Sequence, residues 1–74
     1  EWTLKTELPV MAMARVLGEK GQREWLVYAH ATKTDQTNVE VTLPDYGKVK
    51  VSPSVAGGYY WVKEADRLVT EVGK

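Results

Sequence analysis

Seventy-four residues without a cysteine make one small domain that has no disulfide, no thiolate nucleophile and no cysteine-based zinc site. A single histidine excludes a histidine-rich metal centre, and ten basic against ten acidic residues leave no net charge to draw nucleic acid or an anionic membrane surface. No apolar run approaches the roughly 20 residues of a membrane span.

Residues 1–74 are expected to form one domain. The start at Glu1 rather than Met suggests a piece excised from a larger multidomain protein, or a processed chain. In chain order, Trp2, Leu4, Thr6 and Leu8 alternate with Thr3, Lys5 and Glu7, which predicts a first strand. Val10–Leu17 (VMAMARVL) is rich in helix formers, yet it is only eight residues between Pro9 and Gly18, short for a free-standing helix. A strand is expected there, paired across the Gly18–Gly21 turn with the segment that follows. That segment sets Trp25, Val27, Ala29 and Ala31 on one face and Leu26, Tyr28 and His30 on the other. Both faces are apolar or amphipathic, as in a central strand covered on two sides.

Thr32–Thr37 (TKTDQT) reads as an exposed polar loop. Val39, Val41 and Leu43 then alternate with polar residues, Pro44-Asp45-Tyr46-Gly47 makes a turn, and Val49 and Val51 alternate with Lys48 and Lys50. This is a β-hairpin with its valines inward. Pro53 and Gly57-Gly58 bracket a loop, and Tyr59–Val62 predicts another strand. After a turn at Ala65-Asp66, the chain closes on a strand or short helix from Leu68 to Val72. The sum is all-β: a small antiparallel β-sandwich of about seven short strands.

No catalytic constellation emerges. His30 lies within a strand, and the only serines, Ser52 and Ser54, flank Pro53 in a loop. The carboxylates fall in turns or at polar strand positions such as Glu24, Glu40, Glu64 and Glu71, where solvation is expected. Gly57-Gly58 precedes a strand rather than a helix, which removes the logic of a phosphate loop. The domain is therefore expected to be non-catalytic, with no cofactor and no metal.

The aromatics remain. Three Trp and four Tyr stand against no Phe, a bias toward rings with a polar tip that suit half-wet positions. Trp25, Tyr59, Tyr60 and Trp61 are the candidates for ligand or domain docking, with Tyr59 and Trp61 on one side of their strand and Tyr60 and Val62 on the other. One of these two sets must leave the core.

The stretches REWLVYAHA, TNVEVTLPDYGKVKV and AGGYYWVKEAD, spanning roughly Gln22 to Asp66, resemble the small C-terminal β-sandwich domains appended to glycoside hydrolases. The resemblance implies an accessory module that packs on a neighbouring catalytic domain of the parent chain, stabilises or orients it, and in some cases contacts polysaccharide. It carries over no catalytic residue, and it implies a secreted or periplasmic parent. Two other readings stay open: a carbohydrate-binding module with an exposed Trp/Tyr platform, and a general protein-interaction domain.

Overall fold

A computed structural model describes residues 2–3, 5–6 and 10–73. The chain is all-β and antiparallel. Two two-residue pieces, β1 (Trp2–Thr3) and β2 (Lys5–Thr6), precede six longer strands. These are β3 (Val10–Leu17), β4 (Glu24–Ala31), β5 (Val39–Leu43), β6 (Gly47–Val51), β7 (Gly58–Lys63) and β8 (Leu68–Gly73). Six strands of five or more residues thus stand where about seven were expected. The first strand is present only as β1 and β2; Leu4, Glu7 and Leu8, the rest of that expectation, lie outside the described residues.

The larger sheet has the order β1-β3-β4-β7-β8 and the smaller one β2-β5-β6. The N-terminal pieces therefore serve both sheets, β1 at the edge beside β3 and β2 at the edge beside β5. Val10–Leu17 pairs with β4 along its whole length, from Val10↔Ala31 to Leu17↔Glu24. Eight consecutive pairings override a helix preference worth only tenths of a kcal/mol per residue. The last segment is likewise a strand, and a bulge shifts its register between Tyr59 and Tyr60.

The inward row of the larger sheet runs through Val10, Ala12, Ala14, Trp25, Val27, Ala29, Tyr60 and Val62. From the smaller sheet, Val41, Leu43, Val49 and Val51 join the same hydrophobic cluster. As period two demands, Lys48 and Lys50 of β6 point to solvent on either side of the buried Val49. The inward row narrows along the strands. Trp25 stands opposite Val62 and Val16, whereas Ala29 stands opposite Gly58 and Ala12. At the narrow end the 52–54 segment closes in: Ala31 N–H donates to the Ser54 carbonyl and Pro53 is buried.

The turn between β5 and β6 shows how local chemistry sets register. Tyr46 N–H donates to the Leu43 carbonyl, with Pro44 and Asp45 at the centre. Asp45 itself takes the left-handed conformation at φ 58°, and Gly47 follows at φ 137°. Asp tolerates that region better than most residues, so the left-handed step is shared rather than left to the glycine alone.

Candidate functional site

The second face of the larger sheet has no covering layer among the described residues. β4 is central, as expected, but only its Trp25 side is packed. The other side carries Met11 and Met13 from β3, Leu26, Tyr28 and His30 from β4, and Tyr59 and Trp61 from β7. Met11, Met13 and Tyr59 are 48%, 41% and 42% exposed. Leu26, Tyr28, His30 and Trp61 are half-buried. Cross-strand register sets these side chains in rows: Met11 faces His30, Met13 faces Tyr28, Tyr28 faces Tyr59, and Leu26 faces Trp61. These exposed side chains form one contiguous apolar patch, the kind of surface feature that can serve as an interaction site.

Several contacts hold the face in one arrangement. Trp61 Nε1 donates to Glu24 Oε1 at 2.6 Å, which fixes the indole along the sheet. The Tyr28 and Tyr59 rings meet at 5.1 Å with a 56° tilt, and His30 lies 6.0 Å from Tyr28. The His30 Nδ1–H donates to the Ala31 carbonyl at 3.2 Å, so the imidazole is oriented by backbone. Tyr28 reaches toward the loop before β7, and a Cβ at Gly57 would overlap its hydroxyl. Gly57 also sits at φ 89°, so both the backbone conformation and the close approach of the ring require glycine there.

The four aromatic candidates separate cleanly. Tyr59 and Trp61 lie on the open face. Trp25 and Tyr60, 1% and 4% exposed, belong to the core and cannot serve as a platform. Trp25 is buried because its neighbours in the inward row are Val16 and Val62. Tyr60 keeps its hydroxyl inside: the oxygen lies near the Ser52 backbone but completes no hydrogen bond. Burial, helped by the nearby Glu71 carboxylate, pushes its pKa up.

Sequence reasoning missed two features. The first is the extent of the open face: one aromatic set of β7 was expected to leave the core, but β4 was expected to be covered on both sides, and Met11, Met13, Leu26 and Tyr28 were not placed beside Tyr59 and Trp61. The second is a clamp at the wide end of the sheets. Glu64, expected to be solvated, is paired with Arg23 instead. Arg23 Nε and Nη2 donate to Glu64 Oε1 and Oε2, both at 2.9 Å. The backbone N–H groups of Gly21 and Arg23 also donate to Glu64 Oε1. The Arg23 hydrogen bonds, reinforced by the two amides and opposed by partial burial, hold the Glu64 carboxyl at about 2. Arg23 further donates to the Asp45 carbonyl and stacks over Trp25 at 4.9 Å, while Trp25 meets Tyr46 at 4.8 Å. Three turns are thus tied into one end cap. Glu24 is likewise not simply solvated, being held by Trp61.

The polar atoms of the remaining candidates are used locally. Ser52 Oγ accepts the Asn38 N–H, and Asp35 Oδ1 accepts the Val55 N–H, which joins the polar loop to the segment before β7. Among the described residues no three His, Asp or Glu side chains converge in a way that would hold a metal ion. Comparison with known protein families, curated proteins and solved structures finds no match to this chain.

Proposed function

We propose that the chain is a small β-sandwich acting as a non-catalytic accessory module, docked through the open face of its larger sheet onto a neighbouring domain of the same polypeptide. The observation that carries this reading is the pairing of Met11, Met13, Leu26, Tyr28, Tyr59 and Trp61 on one uncovered face. An uncovered apolar face leaves surface in water that a further layer would bury, and among the described residues only one face of the larger sheet is packed. The motif resemblance supplies the partner's class, the catalytic domain of a glycoside hydrolase. The alternative, sugar stacking, needs rings presented flat to a ligand. Tyr59 is exposed enough, but the 56° tilt between it and Tyr28 gives no shared plane.

Melting curves of the isolated chain and of the full-length polypeptide test the proposal. Tyr59→Ala should leave the first within about 4 °C of wild type, as for surface substitutions generally, and should lower the second clearly. Equal small effects in both contexts would refute docking. A shift of Trp fluorescence on adding oligosaccharide, removed by Tyr59→Ala, would favour the sugar-binding reading instead.

A further inference from the structure

The two sheets are joined along one side of the molecule and part along the other. One residue separates β1 from β2, too few for the chain to reverse, so these pieces carry one strand direction from the larger sheet into the smaller. Joined there, the strands run in the order β6-β5-β2/β1-β3-β4-β7-β8, and every neighbouring pair is antiparallel. Seven positions are an odd number. The end strands β6 and β8 therefore run in the same direction, and among the described residues each is paired on one side only. They flank a cleft of about 250 Å³, lined by Lys50, Val51 and Ser52 on the β6 side and by Tyr60, Val69 and Glu71 on the other.

We infer that this seam takes one extended peptide segment of a binding partner, running antiparallel to both β6 and β8, with a lysine or arginine side chain directed at Glu71. Parity selects the occupant. One added strand is antiparallel to both edges and completes an even-numbered, closed barrel in which no edge remains. A hairpin would bring two strands and meet one edge in parallel. A helix or a sugar cannot pair with the row of backbone N–H and C=O groups that a strand edge presents. The seam is separate from the open face, so the docking reading stands or falls without it.

Two side chains add specificity. The Tyr60 hydroxyl is buried without a hydrogen-bond partner, and its neighbours Ser52 and Glu71 both line the cleft. Burial, with Glu71 nearby, keeps the phenol protonated, so it is a donor that a main-chain carbonyl of the segment can satisfy. Glu71 stands opposite Tyr60 in register and so shares its inward side, yet it is exposed at the edge. A charge at such a position deters indiscriminate edge pairing, since a strand laid over it would bury the carboxylate unpaired. A segment with a basic residue there escapes that cost, and its other inward side chains, beside Val51 and Val69, are apolar.

Selection from a displayed library tests this. The peptides are about ten residues long, with apolar and polar positions alternating and every position also open to Lys, Arg, Asp and Glu. Enriched peptides are then added to the chain in hydrogen–deuterium exchange. The expected result is a basic residue at one position of the apolar row, and slowed exchange in both 47–52 and 68–73. Selection on Glu71→Lys, its fold checked by circular dichroism, should replace the basic residue by an acidic one. Tyr60→Phe should weaken binding about two- to tenfold, the worth of one hydrogen bond, without lowering the melting temperature. Slowed exchange at one edge alone or only on the β3–β4 face, a basic preference unchanged by Glu71→Lys, equal binding by Tyr60→Phe, or no enrichment over a blank support would overturn the proposal. So would slowed exchange at both edges that grows with protein concentration in the absence of peptide, which would assign the seam to a second copy.

Discussion

Tyr59 and Tyr60 are adjacent and chemically identical, yet removing their rings should have opposite consequences. Tyr60 is 4% exposed and its ring sits in the cluster shared by both sheets. Replacing a buried aromatic side chain by alanine costs about 3–5 kcal/mol, because the surroundings collapse only partly into the cavity. A domain of this length is stable by about 4–11 kcal/mol, so Tyr60→Ala removes between about a quarter and all of it. At about 4–8 °C per kcal/mol, the melting temperature should fall by at least about 12 °C, and at the upper end of the cost the chain is unfolded. Tyr59→Ala removes a ring that is nearly half in water and should change stability by no more than about 0.5 kcal/mol. Urea unfolding of the isolated chain, followed by circular dichroism and tryptophan emission, reads both. Tyr60→Phe separates the ring from its hydroxyl: with no hydrogen bond to lose, it should be neutral or slightly stabilising. Comparable losses for Tyr59→Ala and Tyr60→Ala would refute the assignment of inner and outer faces.

Three further outcomes follow from the same geometry. Glu64 is held at about 2, below the ordinary carboxylate value near 4.5, so its contribution to stability is complete above about pH 4.5 and is lost as pH falls toward 2; Glu64→Gln should lower stability at pH 7 and flatten the slope of denaturant midpoint against pH within that window. Gly57→Ala should cost about 1–3 kcal/mol through the positive φ and the overlap with Tyr28, and Tyr28→Ala in the same chain should recover the part due to the ring, as a double-mutant cycle on urea midpoints would show. Val41→Lys places an unpaired charge at a position of no exposure and should unfold the isolated chain, which a one-dimensional proton NMR spectrum would report as lost dispersion.

What was legible in the sequence was parity. Strict alternation placed Val39, Val41, Val49 and Val51 on one side of a hairpin, and it separated Tyr59 and Trp61 from Tyr60 and Val62. Parity does not say which side is inside. Trp25 and Tyr60 looked as eligible for a surface ledge as Tyr59, because the deciding partners, Val16, Val27 and Val62, arrive from other strands. The same holds for Val10–Leu17, whose residues favour a helix locally and become a strand only through pairing with β4. The Arg23–Glu64 clamp left no local signature at all: the two residues lie 41 positions apart and meet because two turns fall at the same end of the sheet.

The end cap and the open face bear on one another. A docking surface binds with less entropic loss when it is already held in its bound shape. Here the wide end of the larger sheet is tied by Arg23, Glu64, Trp25 and Tyr46, which join the turns before β4, between β5 and β6, and after β7. The narrow end is tied by the Ala31–Ser54 and Gln36–Pro53 backbone bonds. Between these two anchorages lies the stretch that carries Met11, Met13, Leu26, Tyr28 and Tyr59. The interior beneath it is built partly from alanine and glycine, small residues that let two layers approach closely. Methionine at the most exposed positions adds the complementary property, an adaptable apolar side chain on a rigid base. A face built this way suits the packing against a partner domain proposed above, and its polar atoms Glu24 Oε1 and His30 Nδ1 are already engaged within the sheet.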